Sequence, residues 1–551
     1  GISWGGFNGL QIAACRPPSL KAIVTIASTD DRYADDIHYM GGVMINDAMS
    51  WGATMFAFNS RPPDPAIVGE GWDDLWKARL EANDPWSMKW LSHQTRDAFW
   101  QHGSVCENYE DIQCAVYAVG GWADGYSNSV PRMLEGLNCP KKGLVGPWAH
   151  KYPNFALPGP RIGFLQEILR WWDYWLKDID TGIMEETQYR VWMQDSAPPA
   201  THYQIRNGRW VAEPSWPSEH TRWQKLYLGQ KRLIDQAGEA EQILIHTPQT
   251  MGARQGEWCG HGLDPDLPAD QREDDGCSVI FETDPLTEAM EILGAPVLTL
   301  QLSSNQPNAF IVARLNDVAP DGASTRVTFG VLNLTHRNSH EFPEPMLSGE
   351  NYQIRLQLND VAQVFPVGHR IRIALSNTLW PLFWPSPELV TLTLNTEGSH
   401  LELPARLPRE IDQDLRPFDR PENSKPQSVE ELEPPVYKRL VERDDVLDEI
   451  RLAVVADSGM IRLTELGWEH GSVSRQNYSI RDGDPNSAQI DLHWTMRFRR
   501  PDADLNIRTE TRSGLTSTPT HFEFTGEMEV FEHDEKTYSK TWTKSFVRKL
   551  N

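Results

Sequence analysis

The stretch that decides the fold opens the chain: GISWGGFNGLQIAACRPPSLKAIVTIAS at residues 1–28. Residues 5–15 have a helical pattern that ends at Arg16-Pro17-Pro18, and residues 20–28 form a continuous apolar run typical of a buried strand. Ser3 stands in the pattern G-x-S-x-G, in which a serine occupies a strained turn between a strand and a helix that only small neighbours permit. The stretch predicts an α/β sheet that presents a serine nucleophile.

Two later apolar runs, at residues 114–122 and 143–148, have the length and glycine content of buried parallel strands. Asp124 follows the first run and His150 follows the second. A serine hydroxyl is a weak nucleophile at neutral pH, so it needs a histidine base and usually a carboxylate that orients the histidine. Considered separately, Asp124 is more simply interpreted as a turn residue, and His150 as a structural histidine that forms hydrogen bonds. Together, in the chain order Ser, Asp, His, they favour a catalytic triad.

Changes in composition and in hydrophobic periodicity divide the remaining chain into further segments. We predict a catalytic unit at residues 1–30 and 113–187, a helical insertion at 31–112, a jelly-roll β-sandwich at 188–403, a proline-rich linker at 404–436 and a small, mainly β domain at 437–551. The helical pattern of the insertion begins at Met40, Val43 and Met44. Its tryptophans are expected in a core, although aromatic side chains also line substrate pockets.

Composition excludes several classes of partner. The 551 residues carry a net charge of −25, which repels nucleic acid. No apolar run is long enough to span a bilayer, so we expect no membrane partner. The six cysteines form no C-x-x-C pair, which favours reduced thiols and a cytoplasmic location. Metal-hydrolase, P-loop and dinucleotide motifs are missing, so no metal and no cofactor are expected. The sequence leaves the oligomeric state open, a homo-oligomer included.

Several blocks carry a family resemblance. GISWGG at 1–6, GGWADGYSNS at 120–129 and GPWAH at 146–150 resemble the catalytic blocks of the α/β-hydrolase family that holds X-prolyl dipeptidyl-peptidases, bacterial cocaine esterase and α-amino-acid ester hydrolases. RWWDYWLKDIDTG at 170–182 resembles the helix that leaves the hydrolase domain, and FPVGHRIRIALS at 365–376 resembles a strand of the jelly roll. The resemblance covers residues 1 to about 405. It implies an α/β-hydrolase core, incomplete at the N-terminus, with a helical cap at 31–112.

The resemblance also implies roles for individual residues. Ser3 would be the nucleophile, Asp124 the orienting acid and His150 the base, with the backbone N–H of Trp4 in the oxyanion hole. Family members usually have tyrosine where Trp4 stands, and they take a second oxyanion donor from earlier in the chain. Four residues are candidates for the substrate pocket: Asp35, Asp36, Trp122 and Trp148. At roughly 30 residues per βα unit, about 100 residues are expected to precede Ser3. We therefore expect a chain that starts at Gly1 to be poorly soluble and nearly inactive.

The sequence thus predicts a serine hydrolase that cleaves an ester or amide of a small molecule or short peptide through an acyl-enzyme intermediate. Esterase and X-prolyl dipeptidyl-peptidase activities are the two subclasses. Esters are favoured, because Gly125-Tyr126-Ser127 supplies no acidic pair beside Asp124 for a substrate ammonium. The alternative is a non-catalytic, β-rich binding protein with a degenerate hydrolase domain.

Overall fold

A computed structural model describes residues 1–551. The helices are α1 Trp4–Ala14, α2 Asp47–Asn59, α3 Pro65–Val68, α4 Trp72–Ala82, α5 Trp86–Leu91, α6 Ala98–His102, α7 Ser129–Gly136, α8 Phe164–Lys177 and α9 Arg272–Gly276. None of them is both long and apolar enough to cross a membrane.

The first half of the chain contains strands β1 Ala22–Ile26, β2 Tyr39–Met40, β3 Val43–Met44, β4 Ala115–Gly121, β5 Lys141–Gly146, β6 Tyr189–Gln194, β7 Gly208–Glu213, β8 Arg222–Gly229, β9 Arg232–Ile234, β10 Gln242–Ile245 and β11 Val279–Glu282. The next group is β12 Met290–Gly294, β13 Val297–Ser304, β14 Phe310–Val318, β15 Ser324–Asn333, β16 Tyr352–Gln357, β17 Val361–Phe365, β18 Arg370–Ser376 and β19 Leu392–Arg406. The last group is β20 Val429–Glu433, β21 Val436–Asp444, β22 Glu449–Leu463, β23 Trp468–Arg481, β24 Asp484–Arg500, β25 Leu505–Ser517, β26 His521–Glu532 and β27 Glu535–Val547.

The catalytic sheet is parallel, and its strands stand in the order β1, β4, β5, β6. Every residue of β1 and β4 is buried, as expected for strands covered on both faces. Residues 1–3 run beside β1, because Ile26 N–H donates to Gly1 O at 3.0 Å and Ser3 N–H donates to Ile26 O at 2.8 Å. The turn at Ser3, helix α1 and the buried strand β1 are therefore present as predicted, and so is the predicted α/β fold.

The parallel sheet continues beyond residue 187, where the sequence places the end of the catalytic unit. Helix α8 is followed by β6, whose Tyr189 pairs in parallel register with Gly143 of β5. Strand β7 then adds an antiparallel neighbour to β6. Strand β6 therefore extends the parallel sheet past the predicted boundary at residue 187.

The insertion between β1 and β4 contains helices α2–α6, but its beginning is not helical. Residues 39–44 form the hairpin β2–β3, with φ angles of 54° at Gly41 and 79° at Gly42. A Cβ at position 41 would lie 1.8 Å from Val331 O, so glycine is required there. The helical pattern read through Met40, Val43 and Met44 is therefore wrong, because two glycines break it.

Antiparallel strands form the sandwich that follows. Strand β13 pairs with β16 and β19, and β14 pairs with β15 and β18. These strands and their neighbours enclose a cluster of 29 buried residues, among them Leu300, Ile311 and Ile373.

The proline-rich segment at 404–436 is attached to the catalytic unit. Arg416 forms ion pairs with Glu167 and Glu186, and the Phe418 ring packs against Trp210 at 5.1 Å between centroids. The segment is also not a linker throughout, because Val429–Glu433 pairs with β22 as strand β20.

Strands β20–β27 form an eight-stranded antiparallel sheet, here called the C-terminal sheet. One face of it packs on the cap helices: Trp76 and Leu80 of α4 share a buried cluster with Phe498 and Met528. A second buried cluster joins cap and sheet through residues such as Trp100 and Leu452. Strands at 437–551 agree with the mainly β prediction, and the packing places this sheet beside the cap.

Candidate active site

Ser3 occupies the strained turn that the G-x-S-x-G pattern predicts. Its backbone has φ 56° and ψ −125°, a conformation that non-glycine residues rarely adopt. The turn lies directly between the β1-paired residues 1–3 and helix α1. Gly6 permits the close approach to β1, because a Cβ there would lie 2.7 Å from Ser28 Cβ. The surrounding hydrogen bonds hold this strain in place and present the hydroxyl at the start of a helix.

The backbone N–H of Trp4 is free to bind an anion. Trp4 is the first residue of α1, and no acceptor in residues 1–551 takes its N–H. An unpaired N–H at a helix N-terminus attracts negative charge. The Trp4 indole packs edge-on against Trp86 of α5 with ring centroids 5.3 Å apart.

Asp124 and His150 form a hydrogen-bonded pair. The Nδ1 atom of His150 lies 3.1 Å from each carboxylate oxygen of Asp124. The side chains are 1% and 10% exposed, respectively. Asp124 lies beyond the end of β4 and also accepts a hydrogen bond from Tyr126 N–H at 3.2 Å. His150 lies beyond the end of β5, and its backbone N–H donates to the backbone oxygen of Gly260 at 2.9 Å. Neighbouring parallel strands thus deliver the acid and the imidazole to the same edge of the sheet.

Electrostatics favour a basic His150. Burial lowers the pKa of His150, but Cys259 and Asp124 raise it by more, so the net displacement is upward. Burial raises the pKa of the Cys259 thiol, which keeps it protonated near neutral pH, so the lasting contribution to His150 comes from Asp124. His261 behaves in the opposite way, since burial and the neighbouring His150 lower its pKa to about 4.

Ser3 and His150 line the same cavity, whose volume is about 670 Å³. This volume lies within the range of small-molecule sites, roughly 300–1,000 Å³. The Ser3 hydroxyl makes no hydrogen bond within the chain, so it is free to meet a substrate. Cap residues contribute much of the lining, including Trp51, Trp86 and Trp90. Three of the cap tryptophans therefore face the cavity, whereas Trp76 and Trp100 lie in buried clusters.

Of the four predicted pocket residues, only Asp36 lines this cavity. It pairs with Arg32 at 2.8 Å and accepts a hydrogen bond from Tyr126 Oη at 2.8 Å. Burial raises the pKa of Asp36, but Arg32 and His38 outweigh this effect and lower it to about 2. Asp35 is paired with Arg132 and does not reach the cavity.

Trp122 and Trp148 are also not part of the cavity. The Trp122 indole donates to Trp192 O at 2.8 Å, and it lines a smaller cavity behind Asp124. The Trp148 indole donates to Pro160 O at 2.8 Å inside a buried cluster. Placing them in the pocket was wrong because proximity in sequence to Asp124 and His150 does not fix the side to which a side chain points.

Sequence reasoning missed Cys259 and His261. The Cys259 Sγ atom lies 3.7 Å from Asp124 Oδ1, and the His261 ring packs edge-on against His150 at 5.5 Å. Both belong to an irregular segment between β10 and α9, where no periodicity marks them. Donor atoms of Asp124, His150 and Cys259 lie within 4.8 Å of one another, so these three side chains could also hold a metal ion.

Known proteins resemble this chain in the same regions. A profile described as X-Pro dipeptidyl-peptidase (S15 family) matches residues 1–152, and one described as the X-Pro dipeptidyl-peptidase C-terminal non-catalytic domain matches residues 181–411. The chain belongs to the X-Pro dipeptidyl-peptidase and cocaine esterase family of α/β-hydrolases. Residues 412–551 lie beyond both matches.

Individual relatives agree with this membership. Cocaine esterase of a Rhodococcus species is 23% identical over 433 residues, covering 70% of this chain and 73% of that protein. Two mycobacterial relatives are 26% identical over 306 residues, and the chain spans about half of their length, 46%. An aminopeptidase of a thaumarchaeote has a TM-score of 0.57 at 18% identity, covering 73% of this chain and 75% of that one. A CocE/NonD family hydrolase of Staphylococcus aureus has a TM-score of 0.55 at 15% identity, covering 74% and 71%, and both structures show the same fold.

Proposed function

We propose that the protein hydrolyses carboxylic esters through an acyl-enzyme intermediate on Ser3. The observation that carries the proposal is the arrangement in one cavity of a strained serine, a free N–H at a helix start and a hydrogen-bonded histidine–carboxylate pair. Each component supplies one need of acyl transfer: nucleophile, oxyanion donor, and base with its orienting acid.

In this reaction, His150 accepts the Ser3 proton as Oγ attacks the ester carbonyl. The Asp124 carboxylate holds Nδ1 and leaves Nε2 to act as the base. The negative charge that develops on the carbonyl oxygen is stabilised by the Trp4 N–H. His150 then protonates the departing alcohol, and a water molecule, activated in the same way, releases the acid from Ser3.

Esters are the proposed substrates rather than X-prolyl peptides, because a dipeptidyl-peptidase must hold a free N-terminal ammonium. The acidic pair suggested for that role is already neutralised, Asp35 by Arg132 and Asp36 by Arg32. A buried carboxylate that already has a guanidinium partner has little left to offer an ammonium.

One observation favours the peptidase as a second candidate. Asp47 of α2 lines the cavity and has no ion-pair partner within the chain. Burial raises its pKa to about 6, so it is largely ionised at neutral pH and could accept an ammonium. Comparing the hydrolysis of esters with that of Xaa-Pro amides separates the two candidates.

A fluorophosphonate probe tests the proposed function directly. We expect covalent labelling that mass spectrometry locates at Ser3, and no labelling of Ser3→Ala. An absence of labelling in the folded, full-length protein would instead support the non-catalytic binding protein. Unlabelled protein is assayed in parallel on nitrophenyl esters and on Xaa-Pro nitroanilides, and a higher kcat/KM on any Xaa-Pro amide than on every ester would establish the peptidase.

A further inference from the structure

Part of the cavity wall comes from the C-terminal sheet, which lies beyond both family matches. Six residues of this sheet line the same cavity as Ser3 and His150, and we call them the wall patch: Tyr437, Val454, Ala456, Ser474, Gln476 and Trp494. They come from four strands, β21 to β24. A domain remote in sequence therefore faces the reacting groups.

The strand register makes the wall patch one continuous surface. Tyr437 pairs with Ala456, Ala456 with Ser474, and Ser474 with Trp494, which gives one row across four strands. Val454 and Gln476 pair with each other in the next row on the same face. Because side chains two residues apart point to the same side of a sheet, both rows face the cavity.

Contacts on two sides fix the position of this wall. Arg439 of β21 is 8% exposed and pairs with Glu257, which lies two residues before Cys259 and also lines the cavity. The Trp494 ring packs edge-on against Phe58 of α2 with centroids 5.8 Å apart. The wall patch is thus held to the cap and to the segment that contacts the Asp124–His150 pair.

The chemistry of the wall patch is uncharged and rich in donors. Tyr478 Oη donates to Gln476 Oε1 at 2.7 Å, and Gln476 Nε2 donates to Ser474 Oγ at 3.3 Å, so the amide is oriented with one N–H to spare. The Tyr437 hydroxyl and the Trp494 indole N–H have no hydrogen-bond partner in the chain, and neither is a buried unsatisfied group. The patch therefore presents an aromatic surface with hydrogen-bond donors that are free to bind an acceptor.

We infer that the wall patch selects the end of the substrate remote from the scissile carbonyl, and that it takes an uncharged apolar group carrying a hydrogen-bond acceptor such as an ether or amide oxygen. The inference rests on the proposed ester hydrolysis and names the specificity of that same cavity. Trp494 provides apolar contact, and the spare donor of Gln476 binds the acceptor oxygen. A site built to hydrogen-bond a group discriminates against the analogue that lacks it.

Two pairs of esters test this inference, so that the remote group is placed on either side of the scissile bond. The first pair is nitrophenyl acetate and nitrophenyl methoxyhexanoate, and the second is ethyl acetate and methoxyhexyl acetate. Nitrophenyl octanoate, the hydrocarbon counterpart of the methoxyhexanoate, isolates the oxygen. The measured quantity is the ratio of kcat/KM for the long ester to that for the short one.

We expect Trp494→Ala to lower this ratio on the order of 10-fold in at least one pair. Gln476→Leu should abolish the preference for the methoxyhexanoate over the octanoate, measured as the ratio of their kcat/KM values. Arg475→Ala is the matched control, because Arg475 is an exposed neighbour on the opposite face of β23. Circular dichroism establishes that each variant is folded, and Gln476→Leu answers the question alone if Trp494→Ala does not fold.

Unchanged ratios in both variants, in an enzyme that hydrolyses the short esters, would overturn the inference and leave the proposed function intact. Failure of the unaltered protein to hydrolyse any ester would overturn the proposed function and, with it, the inference.

Discussion

The parallel catalytic sheet and the antiparallel C-terminal sheet contribute to the cavity in different ways. Strands β1 and β4 have 5 and 7 residues, all buried. Ser3 lies beside the end of β1, where its N–H donates to Ile26 O, and Asp124 follows the end of β4, so both stand at one edge. Strands of the C-terminal sheet reach 17 residues and alternate between buried and exposed positions, so that they offer a face instead of an edge. Parallel strand ends converge on a point, whereas an antiparallel face covers an area. The catalytic sheet therefore places reacting atoms, and the C-terminal sheet encloses them.

The largest effect on turnover should come from removing the catalytic side chains that lie at the edge of the catalytic sheet. Ser3→Ala and His150→Ala should each reduce turnover on the order of 10⁴-fold, because the groups act as a unit. Asp124→Asn should do nearly as much by holding the wrong tautomer of His150. Steady-state hydrolysis of nitrophenyl esters measures the loss, with circular dichroism to establish folding. Near-normal turnover of the Asp124 variant would mean that another acid orients His150.

The C-terminal sheet should matter for stability through its buried face. Phe522 is fully buried beside Trp384, with ring centroids 5.8 Å apart. Phe522→Ala should lower the free energy of unfolding by about 3–5 kcal/mol, since it opens a cavity in the cluster that joins sheet and cap. Denaturant unfolding measures this change. Val547→Ala is the control, because Val547 is 59% exposed, and its effect should stay within about 0.5 kcal/mol.

The tightness of the serine turn can be tested on two glycines of one helix. A Cβ at Gly6 would lie 2.7 Å from Ser28 Cβ, whereas a Cβ at Gly9 meets nothing within 4 Å. Gly6→Ala should therefore cost about 1–3 kcal/mol of stability and disturb the Ser3 turn. Gly9→Ala should be neutral or stabilising by up to about 1 kcal/mol. Equal effects of the two changes on the unfolding midpoint and on turnover would contradict a tight turn.

The smallest effect concerns pH. His150 must be neutral to accept the Ser3 proton, so the rate falls as pH decreases through its pKa. The Asp124 carboxylate keeps that pKa raised, hence Asp124→Asn should move the acidic limb to lower pH. Cys259→Ser should move the limb less, and Cys277→Ser, at an exposed position, should not move it. The pH dependence of fluorophosphonate labelling measures the limb in all variants, and a larger shift for Cys259→Ser than for Asp124→Asn would reverse this assignment.

Local patterns in the sequence were sufficient to predict the catalytic edge. Short apolar runs marked β1, β4 and β5, and the residues after them had to meet because parallel strands share a direction. The hairpin at residues 39–44 was missed because Met40, Val43 and Met44 fit a helical period by chance. Trp122 and Trp148 were misplaced since a residue's position in a turn does not fix the direction of its side chain.

The position of the wall patch at the cavity could not be predicted from local sequence patterns. Its residues Tyr437 and Trp494 look like ordinary members of alternating strands. Their meeting with the cavity depends on how the C-terminal sheet docks on the cap, and Arg439, whose partner Glu257 lies far away in sequence, carries no local signal of it. Cys259 and His261 were missed for the same reason, because they reach His150 through an irregular segment.

The buried cluster that joins Trp100 of the cap to Leu452 of the C-terminal sheet can form only late in translation, because its two parts are synthesised far apart in time. Roughly 350 residues separate the two, so at about 5–20 residues per second a ribosome needs roughly 20–70 s to deliver the second after the first. During that time the apolar side of the cap has no cover from its final partner. A nascent chain of this kind is a natural client for chaperones, and its yield should depend on temperature and translation speed more than its finished stability does.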